Sequence, residues 1–276
     1  MATHGKRRAY GQHFLKDQRL SASIAEYALQ QAIQTSSQQI LEIGPGRGAL
    51  TEPLLSQLKI SKTSPSLLLV EKDVKLASEW ARRPQDSSFA IQCADFLELD
   101  ETVWLKKRPL TVLSNLPYSA GTAILLKLAA HWAEIPVMVL MFQAEVAQRL
   151  RAEPETKAWG SLSIWIQNRW DVEKLYTVKP GAFAPPPEVE SEVVCLTRRM
   201  TPRIEIPATP ESEKLWESLL KACFAHRRKM LRAGLKGHSV FQNALEVSQV
   251  SGTKRAEALT WDEWSKLWRA VLNFRS

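Results

Sequence analysis

Cysteine is scarce in this chain of 276 residues, with Cys93, Cys195 and Cys223 isolated from one another. None has the paired spacing of a metal site, which excludes a zinc module, and so few thiols fit a reducing compartment rather than a disulfide-stapled secreted fold. No apolar run approaches the roughly 18 residues that a membrane-spanning helix needs. The basic start, Met1 to Arg8, has no apolar core behind it, so no secretory signal is expected. Internal repeats and low-complexity tracts are also missing, which removes solenoids and disordered scaffolds. One local absence is informative: Ser218 to Leu245 contains no acidic residue, while Lys221, Arg227, Arg228, Lys229, Arg232 and Lys236 all fall within it.

What is present is an ordinary globular balance, 45% hydrophobic and 24% charged, with a formal charge of +8. The length suffices for a large core and a second, smaller domain, and the excess of cations points to a polyanionic partner. Ile40 to Ile43 reads as a buried strand, Gly44-Pro-Gly-Arg-Gly48 follows, and Leu50, Leu54, Leu55 and Leu58 then mark a helix. Strand, glycine turn and helix form the first unit of a nucleotide-binding α/β fold, where missing side chains let a ligand approach the backbone. Leu67 to Glu71 is a second buried strand that ends in an acid, at the distance where such folds place a carboxylate on ribose hydroxyls.

Further strands are predicted at Phe89–Gln92, Leu110–Ser114, Val137–Phe142, Val172–Val178 and Glu192–Thr197. In an open parallel sheet the strand ends carrying Glu71, Asp95 and Asn115 face one crevice. Asn115-Leu-Pro-Tyr118 has the composition of a grip for a planar amine: an amide oxygen, a backbone carbonyl aimed by a fixed proline φ, and an aromatic face. The exocyclic amine of a nucleobase is such a group. Its lone pair is delocalised into the ring, so acceptors around its N–H bonds favour the pyramidal, nucleophilic nitrogen of a transition state.

Helices are predicted to start with caps at Ser21 or Ser23, at Ser119, at Thr209 before Pro210, and at Thr260. Phe183, on the proline-stiffened loop Gly181 to Pro187, reads as a core plug or as a second stacking face. Pro202, Pro207 and Pro210 mark a linker that divides the chain into residues 1–200 and 201–276. On one continuous helix Lys221, Arg228 and Arg232 would form a basic stripe able to follow a phosphate backbone.

These residues resemble the KsgA family of ribosomal RNA adenine dimethyltransferases. The resemblance is carried by Gly11-Gln-His-Phe-Leu15, Leu41-Glu-Ile-Gly-Pro-Gly46, Asn115-Leu-Pro-Tyr118, Gln143 to Arg149, Gly160-Ser-Leu-Ser163, Phe183-Ala-Pro-Pro-Pro187 and Phe224-Ala-His-Arg-Arg-Lys229, in the family's order over nearly the whole chain. It implies a Rossmann-like class I S-adenosylmethionine-dependent methyltransferase domain with a small all-helical C-terminal domain. The implied activity is N6,N6-dimethylation of two adjacent adenines in a hairpin loop near the 3′ end of 16S rRNA, in the immature small ribosomal subunit. A cytoplasmic, monomeric enzyme that uses S-adenosylmethionine and no metal is expected.

Carried over residue by residue, His13, Leu15, Gly44, Gly46, Glu71, Asp95, Phe96 and Asn115 are expected to line the cofactor pocket. Asn115, Leu116, Tyr118 and Phe183 would hold the adenine, and Lys6, Arg7, Arg8, Lys221, Arg227, Arg228, Lys229 and Arg232 would meet RNA. His13 stands where the family usually has Asn, and Glu190 where it usually has Asp. The competing readings are an Erm-type methyltransferase of large-subunit rRNA, a binding module that kept the fold and lost the reaction, and a dinucleotide-dependent dehydrogenase. The last leaves Asn115 to Tyr118 and the basic segment without a purpose.

Overall fold

The structure is a computed structural model that describes residues 13–60, 65–83 and 89–274. Lys6, Arg7 and Arg8, expected on an RNA-contacting arm, lie outside the described residues. Contacts divide the chain into two units. The first takes the described residues up to Ala147 together with Asp171–Arg198, and the second takes Gln148–Trp170 with the chain from Arg199 onward.

In chain order the elements of the first stretch are β1 (Phe14–Leu15), α1 (Gln18–Gln34), β2 (Gln39–Ile43), α2 (Thr51–Leu58), β3 (Ser66–Glu71), α3 (Val74–Ala81), β4 (Phe89–Cys93), α4 (Glu101–Trp104), β5 (Leu110–Asn115), α5 (Gly121–Ala129) and β6 (Val137–Gln143). After α6 (Ala144–Leu150) and α7 (Ser161–Gln167) the chain returns with β7 (Trp170–Val178), β8 (Phe183–Ala184) and β9 (Ser191–Arg198). Among the described residues, seven strands form one sheet in the order β4-β3-β2-β5-β6-β9-β7. The five strands β4 to β6 in that order are mutually parallel, and β9 runs antiparallel to β6. Strands β2 and β6 are buried on both faces because helices cover both sides of a parallel sheet. Since the chain leaves β2 toward β3 and β4 and then returns to β5 on the other side, the sheet has its topological switch between β2 and β5. There the carboxyl ends of the strands open a crevice.

Two caps differ from expectation. Helix α1 starts at Asp17, whose carboxylate accepts the Leu20 N–H at 3.1 Å, rather than at Ser21 or Ser23; Ser21 is buried inside the helix. Helix α5 has no side-chain cap at Ser119. The Pro117 carbonyl accepts the Ala120 and Gly121 N–H groups instead, so the proline turn itself starts the helix. A feature not anticipated is the two-stranded ladder of β1 with β8, in which Leu15 pairs with Phe183 and Phe14 with Ala184.

In the second unit α8 (Pro210–Phe224), α9 (Leu231–Gly234), α10 (Ser239–Val247) and α11 (Trp261–Asn273) build a helical body. Thr209 caps α8, and Thr260 with Glu263 forms the capping box of α11, both as read from the sequence. Residues 148–170 were assigned to the first domain by the proline linker; the contacts place them in the second unit. Trp159 and Ile164 share a buried cluster with Trp216, Leu219, Trp264 and Leu267. Asn168 exchanges two hydrogen bonds with the Ile204 backbone, at 3.0 and 2.7 Å. No helix among the described residues is long and apolar enough to cross a membrane.

Candidate active site

The glycine turn is built to be narrow. Gly44 and Gly46 have φ of +68° and +55°, in the left-handed region where a side chain is strained, and a Cβ on Gly46 would stand 3.1 Å from the Phe14 ring. The Gly46 carbonyl accepts the Trp80 indole N–H at 2.9 Å, which pins the turn to α3. Its N–H donates to Glu71 Oε2 at 3.0 Å, while Asp73 N–H donates to Oε1 at 2.8 Å. These two bonds fix the Glu71 carboxylate at the end of β3 and leave each oxygen a lone pair for a ligand. Glu71 is 4% exposed, and burial raises its pKa against the opposing effect of those N–H groups.

This turn is one wall of a cleft of about 230 Å³. His13 and Leu15 line it from β1, Glu71 from β3, Asp95 and Phe96 from the loop after β4, and Asn115, Leu116 and Tyr118 from the end of β5. All the residues expected to hold the cofactor are thus brought together, with those expected to grip the amine beside them. Asn115 Nδ2 donates to the His13 carbonyl at 3.4 Å, which leaves Oδ1 as the acceptor of the pair. Tyr118 Oη is 2.7 Å from Ser191 Oγ on β9, a contact that holds the phenol in place, and burial raises its pKa.

His13 has contacts on the amine-gripping side as well as in the cleft. Its ring stacks on Tyr118 with centroids 5.2 Å apart, and Nδ1–H donates to the Pro185 carbonyl at 2.8 Å. Phe183 is placed differently from the stacking role expected of it. It is 1% exposed, packs with Leu15, Val178 and Val193 in the core, and does not line the cleft. A ring that is buried in the core cluster and backed by the strand pairing with Leu15 is described by the plug reading.

Three residues of the site were not singled out in the sequence. Lys72 Nζ lies 2.5 Å from Asp95 Oδ2, and this neighbour is the main reason the Asp95 carboxyl is held below its usual range. Phe14 sits under the glycine turn with the Arg47 guanidinium 4.9 Å from its ring centre. Glu42, read only as part of a buried strand, lines the cleft at 2% exposure, and its Oε2 has no hydrogen-bond partner among the described residues. A carboxyl within an apolar strand pattern was the available signal. Burial pushes the Glu42 pKa up to about 8; the Glu71 and Glu52 carboxylates add to the rise and the Thr51 hydroxyl opposes it.

A proton retained in the folded state and given up on unfolding makes stability fall as pH rises, here from 4.5 to about 8. The free protein should therefore lose thermal stability across that window, and Glu42→Gln, which needs no proton, should lose less. Thermal melts of both proteins in matched buffers test this, and parallel curves would remove Glu42 as the cause.

The basic segment is not one helix. Helix α8 ends at Phe224, a turn follows in which Lys229 N–H bonds the His226 carbonyl at 2.8 Å, and α9 then begins. The continuous stripe of Lys221, Arg228 and Arg232 is therefore corrected to residues on two helices and a turn. Arg227 is exposed but already engaged with backbone, donating to the Lys157 and Trp159 carbonyls at 2.9 and 2.7 Å. Lys221 pairs with Glu217 one helical turn away. Arg228, Lys229 and Arg232 are exposed.

Comparison with known proteins decides the family. The model of the ribosomal RNA adenine dimethylases matches residues 3–271. The chain belongs to this family. Among curated relatives of this dimethylase, the ribosomal RNA small subunit methyltransferase A of Syntrophotalea carbinolica is 36% identical over 268 residues, covering 96% of each chain. The protein of the same name from Ruegeria sp. is 36% identical and covers 98% of this chain and 94% of its own. A dimethyladenosine transferase from Plasmodium falciparum shares the dimethylase fold with a TM-score of 0.69 at 24% identity, over 92% of this chain and 96% of that one. The 23S rRNA methyltransferase ErmE does so with a TM-score of 0.64 at 23% identity, over 94% and 99%.

Proposed function

We propose that this chain dimethylates the N6 amines of two adjacent adenines in a hairpin loop near the 3′ end of 16S rRNA, using S-adenosylmethionine, during assembly of the small ribosomal subunit. The observation that carries the reading is that Asn115, Leu116 and Tyr118 open onto the same cleft as the glycine turn, Glu71 and Asp95. The match of the family model over residues 3–271 supports it.

The residues fit the cofactor. Glu71 offers acceptor capacity to ribose hydroxyls, and the side-chain-free turn at Gly44 and Gly46 admits a ligand close to the backbone. Asp95 and Phe96 offer a carboxylate and an aromatic ring to a purine, and the unpartnered Glu42 Oε2 offers the ligand one further polar atom. When bound, S-adenosylmethionine supplies the methyl group. The protein's share is to make the target nitrogen able to receive it. Asn115 Oδ1 and the Leu116 carbonyl accept the two N–H groups of the amine, most strongly as the nitrogen becomes pyramidal. Tyr118 gives the flipped base a stacking face, with His13 as the neighbour it must share.

The second unit positions the RNA through phosphates. Arg228, Lys229 and Arg232 carry this contact, whereas Arg227 braces the 157–159 segment. Each phosphate contact contributes roughly 0.7–0.9 to the slope of log K against log salt. An Arg228→Ala, Arg232→Ala protein should bind immature subunits more weakly, with the slope reduced by about 1.5 and cofactor affinity unchanged. Equal slopes would return the RNA contact to Lys6, Arg7 and Arg8.

In this reading the enzyme acts as a monomer in the cytoplasm. The deciding experiment supplies labelled S-adenosylmethionine with both small subunits lacking the modification and large-subunit RNA, and maps the product. Two adjacent N6,N6-dimethyladenosines near the 3′ end of 16S rRNA are expected. Label confined to large-subunit RNA would assign an Erm-type activity instead, and cofactor binding without transfer would leave a binding module.

A further inference from the structure

Lys127, in the last turn of α5, has spent its ammonium on backbone. Nζ donates to the carbonyls of Phe96, Leu97 and Leu99 at 3.0, 3.1 and 2.7 Å, three acceptors for three hydrogens. It also stands 5.3 Å from the centre of the Phe96 ring. The same loop is closed from within by Asp95, whose Oδ1 accepts the Leu97 N–H and whose carbonyl accepts the N–H groups of Glu98 and Leu99. Asp95, Phe96 and Leu97 line the cleft.

A loop of this size that turns three carbonyls toward one point would repel itself without a cation there, and charge-assisted bonds are the strong ones. Helix α5 begins directly behind Asn115 to Tyr118, so the lysine ties the helix that follows the amine grip to the wall that faces the cofactor. We propose that Lys127 is a positioning residue for S-adenosylmethionine: it holds the loop of Asp95 and Phe96 in the shape that receives the cofactor's purine. This inference rests on the cofactor reading of the cleft. A lysine that only staples a helix to a loop would affect stability and leave affinity alone.

The test uses calorimetric titration of the full chain with S-adenosylhomocysteine, alongside thermal melts and single-turnover methylation at saturating S-adenosylmethionine. Lys127→Met keeps the stem and removes the donors. Its dissociation constant should rise about tenfold or more, the scale of one lost charge-assisted contact, while the saturated single-turnover rate stays within about threefold because Asn115 is untouched. Lys127→Arg keeps the charge but its planar fork cannot serve three convergent carbonyls equally. It should show an intermediate affinity, and it carries the test if the methionine variant does not fold. An unchanged dissociation constant in the folded variants, beside a wild type that binds, would overturn the role of Lys127 alone. A wild type that does not bind S-adenosylhomocysteine would overturn the cofactor reading and this inference together.

Discussion

Asn115→Ala is expected to slow single-turnover methylation by about 10²–10³, the usual cost of removing one group that acts on charge developing in a transition state. Cofactor affinity should change far less. The side chain is one of many groups lining the cleft, and its Nδ2 is already committed to the His13 carbonyl. What is lost is Oδ1, whose partner N–H becomes a better donor only as the nitrogen takes on positive charge while bonding to the methyl group. Effects restricted to the transition state appear in the rate and not in binding. Stability is a control here, since Asn115 is only partly buried and the alanine variant should melt close to wild type. A folded variant with near wild-type single-turnover rates would dismiss the amide as the acceptor.

Phe183→Ala is expected to cost about 3–5 kcal/mol of folding stability, the range for deleting a fully buried aromatic ring. The ring is 1% exposed, among the largest fully buried side chains, and is paired through β8 with Leu15 of β1. Its loss leaves a cavity under the strand that carries His13 and Phe14 toward the cleft. Methylation should therefore fail together with stability, and conditions that restore folding should restore part of the activity. Urea denaturation followed by two probes measures the cost. A variant within about 1 kcal/mol of wild type that nonetheless loses methylation would reinstate the stacking face.

The two substitutions separate what a sequence shows from what it hides. Asn115 could be placed because the strand, the proline and the aromatic ring around it are local, and a parallel sheet brings strand ends to one edge whatever the loops do. Glu71 and Asp95 followed by the same rule. Phe183 resisted because a phenylalanine on a proline-rich loop is the same short string whether its ring enters the core or a cleft. The ladder between residues 14–15 and 183–184 decides it, and two-residue strands leave no periodicity to read. The backbone contacts of Arg227 were hidden for a related reason. Its charge suggests phosphate, but carbonyls of Lys157 and Trp159, some seventy positions earlier, already accept from its guanidinium.

Apolar runs and turn chemistry, which are properties of neighbours along the chain, determined the strands, the glycine turn, the Thr209 and Thr260 caps and the identity of the residues at the carboxyl edge. Only the tertiary structure decided the membership of residues 148–170, the burial of Phe183, the backbone contacts of Arg227, the unpartnered Oε2 of Glu42 and the three-carbonyl seat of Lys127. Each of these depends on which distant backbone groups reach a side chain. Hydrogen bonding and burial are short-ranged in space and indifferent to separation along the chain, so no pattern of neighbouring residues encodes them.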